Sequence, residues 1–178
     1  MNTISIIMFV IGCIILFFSL MVKNSNFLDI HQIFIQHFQV FKGNPLQFFS
    51  IFLVPIFLSV GIVGVKCVDK DILSNLNIIL SILVAMFFSM LSILCSFDKE
   101  KKNEKYRQLL KETFNTTVFE VIICLVLLLV SFIALFVGSF DKSIPLEIVS
   151  GVIYYLAIVL ILNILVVIKR IKVLFDNK

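Results

Sequence analysis

Two side chains able to carry chemistry lie inside apolar stretches: Glu120, near the start of a run over residues 118–140, and Asn163, alone in a run over 145–168. A carboxyl group within a membrane segment is costly and therefore a functional candidate, although one so near the end of its run can also snorkel to the interface. Asn163 either bonds a neighbouring helix, the ordinary case, or lines a site. Histidine is the side chain that ordinarily titrates near neutral pH, but no acidic partner accompanies His31 or His37, so they read as solvated at the headgroups in preference to a pH sensor. Cys13, Cys67, Cys95 and Cys124 occur singly, without a CxxC pair, so neither disulfides nor a metal site are expected. No HExxH, GxSxG or Walker lysine is present, which points to a non-enzymatic protein without cofactors.

The composition says where these groups must sit. The 178 residues are 61% hydrophobic and 15% charged, against roughly 25% charged in soluble domains. The expected fold class is an all-α integral membrane protein: a bundle of five transmembrane helices with one interfacial amphipathic helix and one helical cytosolic extension. The spans fall at 1–22, 45–66, 72–97, 118–140 and 145–168, each near the ~20 residues a bilayer requires. The first run lacks the basic residues that precede a signal sequence's apolar core, and is read as a retained helix. Between 23 and 44, Phe27, Ile30, Phe34, Phe38 and Phe41 recur at helical spacing among glutamines, as in an amphipathic helix lying along the membrane surface. Pro55 falls in mid-span and predicts a kink, with Ser59, Gly61 and Gly64 thinning the second half of that span.

The third span has the most pronounced pattern. Ser74, Asn77, Ser81, Ala85, Ser89, Ser92 and Ser96 succeed one another at steps of three or four and share one helix face. Small residues let helices approach closely in lipid, so this face predicts a packing or oligomer interface at the centre of the bundle. Ser81, Ala85, Ser89 and Ser92 are its principal members, matched by Ala134 and Gly138 in the fourth span. The alternative is a hydroxyl-lined path, and back-bonding of serine to the preceding turn weighs against it.

Residues 98–117 are the one sizeable hydrophilic segment and run without glycine or proline into the fourth span, predicting a single helix that leaves the membrane. Its edge of Tyr106, Arg107, Leu110 and Phe114 is the expected docking site for a cytosolic protein. Residues 169–178 form a basic tail suited to anionic lipid. Lysines and arginines divide 12 to 3 between the two sides of five spans, placing the N-terminus outside and the C-terminus in the cytoplasm. With a net charge of only +4, nucleic acid is not an expected partner; membrane lipids, a cytosolic protein and further copies of the chain are.

The stretch YRQLLKETFNTTVFE over 106–120, a charged helix entering a spanning pair with a short basic tail, resembles small multi-pass membrane components of bacterial antiphage systems across the C-terminal 80 or so residues. That resemblance implies an inner-membrane anchor or sensor beside a soluble partner, or an effector that damages the membrane. The readings of function are accordingly an anchor or sensor recruiting a cytosolic partner, an oligomeric pore-forming or membrane-disrupting effector, and an accessory subunit of a transporter.

Overall fold

A computed structural model describes residues 11, 12, 15, 30–39, 41, 45–97, 104–137 and 144–176. Those residues form helices α1 (Ile30–Gln39), α2 (Pro45–Phe52), α3 (Val54–Val65), α4 (Lys70–Cys95), α5 (Glu104–Val137) and α6 (Ile144–Asp176). Four stretches are long and apolar enough to cross a membrane: Pro45–Val65, Lys70–Cys95, Glu104–Phe136 and Pro145–Asp176. The expected fifth span, 1–22, lies outside the described residues apart from Ile11, Gly12 and Ile15.

Local chemistry explains the boundaries. Pro55 offers no amide to the carbonyl of Ile51, and the rod breaks at Leu53, where the Ile56 amide bonds Leu53 O at 3.1 Å instead of a full turn back. The break falls where the sequence predicts the kink. Ser59 is buried, but nothing lies within 4 Å of a side chain placed at Gly61 or Gly64, so the thin face expected there receives no helix among the described residues. Asp69 caps α4 by accepting from the Ile72 amide at 2.8 Å and also pairs with Lys66 at 2.7 Å. That pairing, with the cap, holds the Asp69 carboxyl below the usual carboxylate range and raises Lys66. The α3–α4 turn is also clasped from α6: Ser150 Oγ accepts from the Val68 amide at 3.0 Å, and Tyr154 Oη donates to Lys66 O at 3.1 Å.

The spanning helices are arranged in the order α4, α5, α6, α3, with α1 laid across α5 and α2 beside α6. Burial reaches 39% of the spanning window in α5 and 33% in α6, but 17% in both α4 and the α2–α3 rod, so the centre is α5 with α6. This corrects the expectation that the small-residue helix is central. What α4 turns inward is a seven-residue repeat, Leu73, Leu80, Phe87 and Leu94, all buried, with Leu76, Leu83 and Met90 between them. Such a repeat presents a continuous seam to one neighbour, and that neighbour is α5.

Three further boundaries differ from expectation. The amphipathic segment forms α1, whose Phe34 meets Phe119 of α5 edge-on at 5.0 Å, so this helix packs on protein as well as bordering the surface. The basic tail is helical as far as Asp176 and belongs to α6. Its Leu174 is buried against Leu94, Phe97, Tyr106 and Leu110, so the presumed docking edge is covered by the chain itself.

Candidate polar centre between α5 and α6

Along α5, Thr113, Thr116, Thr117, Glu120, Cys124 and Ser131 recur at helical spacing, and every one is buried. The threonines satisfy themselves. Thr113 donates to Leu109 O at 2.7 Å, Thr116 to Glu112 O at 2.8 Å and Thr117 to Thr113 O at 2.9 Å, so their hydroxyls need no partner across the interface. Ser131 reaches across to Leu73 O of α4 at 3.5 Å.

At the charged end of this face the Glu112 carboxylate is held from two directions. Arg170 of α6 donates to Oε2 at 3.1 Å and Gln108, one turn away, to Oε1 at 2.9 Å. The ion pair is partly exposed, with 16% of the Arg170 side chain and 31% of the Glu112 side chain open. It ties the extended ends of α5 and α6 together, next to the Tyr106, Leu110 and Leu174 cluster.

Two turns deeper, Glu120 and Asn163 bring a carboxyl and a carboxamide together from opposite helices. Both residues are wholly buried, and neither Glu120 oxygen nor either polar atom of Asn163 closes a hydrogen bond. Buried polar atoms are normally paired because an unmade bond costs about 1–3 kcal/mol. Four of the seven unpaired buried polar atoms among the described residues belong to this one pair. Cys124 stands one turn further along α5.

His37 supplies two more of the seven. Its ring lies flat on Phe119, centroids 3.8 Å apart and planes inclined by 7°, with Phe41 edge-on at 5.2 Å and Phe52 at 6.3 Å. Burial in this aromatic box, helped by the charge of Arg170, pushes its pKa down to about 3, so the imidazole is neutral. The sequence placed His37 in water at the headgroups; in the fold it is as buried as Phe119. The backbone of His31 continues the same helix.

The predicted positions therefore separate into groups. Glu120 and Asn163 come together. Ser81, Ala85, Ser89 and Ser92 face away from the bundle, with Ser81, Ser89 and Ser92 bonded to carbonyls in their own helix at 2.8–3.1 Å. Ala134 is half-buried against the core, and Gly138 lies outside the described residues. Tyr106 and Leu110 are buried, Phe114 is half-buried beside them, and Arg107 is exposed. Sequence reasoning misplaced His37 and missed the buried threonines and the Glu112–Arg170 tie. The threonines carried a readable signal, since Thr113, Thr116, Glu120 and Cys124 continue one face into the apolar run.

Among the described residues no three His, Cys, Asp or Glu side chains are grouped as metal ligands. Comparison with protein-family models, curated proteins and solved structures finds no match.

Proposed function

We propose that this chain is a non-enzymatic multi-pass protein of the bacterial inner membrane, an anchor and sensor that engages a cytosolic partner through the charged end of α5. The observation that supports this reading is the continuity of that helix: 34 residues run unbroken from Glu104 to Val137, joining an exposed cationic face to the buried Glu120. With Tyr106 and Leu110 covered by α6, docking falls to the exposed remainder of this end, which carries Lys105, Arg107 and Lys111 with Glu104. A partner of acidic character fits it. Because Arg170 holds Glu112, displacement of this end is felt by α6 as well as α5. The layout shared with antiphage membrane components provides a setting, a sensor beside a soluble protein. The first run supplies the fifth span and leaves the N-terminus outside.

The test is affinity capture from mild detergent with mass-spectrometric identification, comparing the natural chain with K105E/K111E. A specific acidic protein should be lost from the variant while membrane insertion is retained; an unchanged set of co-purifying proteins would reject the reading. Sidedness is checked on intact cells, where an impermeant maleimide should reach Cys67 and leave Cys95 unmodified.

The second reading is a self-associating effector. It is favoured by the small-residue face of α4, which no described part of the chain covers and which permits close approach of a second copy. Loss of membrane potential on overexpression distinguishes the effector from the anchor.

A further inference from the structure

We propose that Glu120 and Asn163 form an exchangeable proton-binding site, in which the protonated Glu120 carboxyl donates to Asn163 Oδ1 while Asn163 Nδ2 donates back to the second Glu120 oxygen. The chemistry of the two groups selects this arrangement. A carboxamide presents one acceptor oxygen and a donor nitrogen, and a neutral carboxylic acid presents the complementary donor and acceptor, so the two close a ring of two hydrogen bonds. An ionised carboxylate presents acceptors only. It could still accept from Asn163 Nδ2, but Oδ1 would then lack a donor and the charge would be uncompensated in a fully buried position, where charge is costly. The four unpaired atoms of the two side chains are complementary halves of one site: Nδ2 can donate to a carboxyl oxygen in either state, but Oδ1 gains a donor only when the carboxyl holds a proton.

Among the described residues the surroundings contain no competing counter-ion. From α6 the cation on this side is Arg170, and it is committed to Glu112. From α1 comes His37, stacked on Phe119. On α5 itself there is the Cys124 thiol, and α4 offers no titratable side chain between Asp71 and Cys95. The way to solvent along this helix face is short: Glu112, partly exposed, lies two turns from Glu120, ~12 Å along the helix, with Thr116 between them bonded to Glu112 O. Release breaks the Glu120 O–H bond and transfers the proton to a water molecule reaching the site from that end, leaving Glu120 as the carboxylate. Uptake is the reverse. No electron transfer and no co-reactant are involved.

The site is independent of the docking reading, and its test uses the isolated full-length protein in phosphatidylcholine vesicles. Dicyclohexylcarbodiimide modifies protonated carboxyls reached from the lipid phase, and peptide mass spectrometry locates the adduct. Glu120 should be modified at mildly acidic pH, with labelling falling about tenfold per pH unit above its midpoint. Difference infrared spectra against E120Q, which keeps the shape and an amide in place, should show a carboxylic-acid carbonyl band that disappears over the same pH range. This second readout does not depend on reagent access. Absence of the acid band at every pH would overturn the proposal. So would a band that sodium chloride suppresses at fixed pH where choline chloride does not, since the ligand would then be a monovalent metal cation.

Discussion

Helices α4 and α5 each carry a series of hydroxyl residues at helical spacing, and the fold treats the two series in opposite ways. Ser81, Ser89 and Ser92 of α4 face outward, whereas Thr113, Thr116 and Thr117 of α5 are buried. Yet both sets donate to carbonyls of their own preceding turn, at 2.7–3.1 Å. A hydroxyl satisfied in this way is nearly indifferent to its neighbour, so it does not decide which face of a helix turns inward. The large side chains decide. On α4 they are Leu73, Leu80, Phe87 and Leu94; on α5 the decision is shared with groups that cannot satisfy themselves, Glu120 above all.

The contrast breaks most readily at the α4 seam. Phe87→Ala should lower stability in detergent by about 3 kcal/mol, because a buried aromatic leaves a cavity that α5 cannot fill. A thermal-unfolding comparison checks it, and a loss no larger than that of an outward-facing substitution would mean that the seam is not the packed face. Next comes the aromatic box around His37. Its pKa is about 3 when docked against an ordinary 6.5, so docking of α1 on α5 is fully supported above pH 6.5 and weakens progressively as pH falls towards 3. Each pH unit in that range favours undocking about tenfold. Hydrogen-exchange protection of the α1 amides, corrected for intrinsic rates, should fall accordingly in the natural chain and stay level in His37→Phe. The smallest effect belongs to the outward stripe: Ser89→Leu should alter the stability of the single chain by no more than about 0.5 kcal/mol. Cysteine cross-linking at Ala85→Cys sharpens the point, since a cross-linked pair in membranes would give that face an occupant in a second copy.

The broad architecture was legible because it rests on strong local rules. Apolar length marks the spans, Pro55 marks the break at Leu53, and a stretch without glycine or proline marks the continuous α5. Glu120 and Asn163 were legible as polar residues in apolar runs, but their juxtaposition depends on the α5–α6 register, which spacing within either run does not contain. The face of α4 that meets α5 was not singled out because two periodic patterns coexist on the helix. The small residues keep to steps of three and four and the large ones to a step of seven, and the rule for close helix approach favoured the former. His37 was misplaced for a different reason. Its polarity argues for water, and the ring that shields it, Phe119, comes from a distant part of the chain. The covering of Tyr106 and Leu110 was hidden because the basic residues after 168 suggest a tail, although lysine and arginine are good helix formers and Arg170 finds its counter-charge on α5.

The uneven enclosure of the four spans gives the molecule a two-tier relation to its solvent. For α5 and α6, other protein replaces much of the surrounding hydrocarbon. Along α3 and α4, Phe57, Val60, Ile78, Ile82 and Phe88 are exposed, a surface suited to acyl chains. Chain length, saturation and lateral pressure therefore act most on the flanking helices, and reach the polar centre through the turn clasped by Ser150 and Tyr154, through the leucine seam and through the exposed side chains that α5 and α6 retain, such as Phe132 and Ile161. Extraction into a short-chain detergent should loosen the outer helices while the inner pair keeps its register. A change of lipid is, for this protein, a change of ligand at half of its surface.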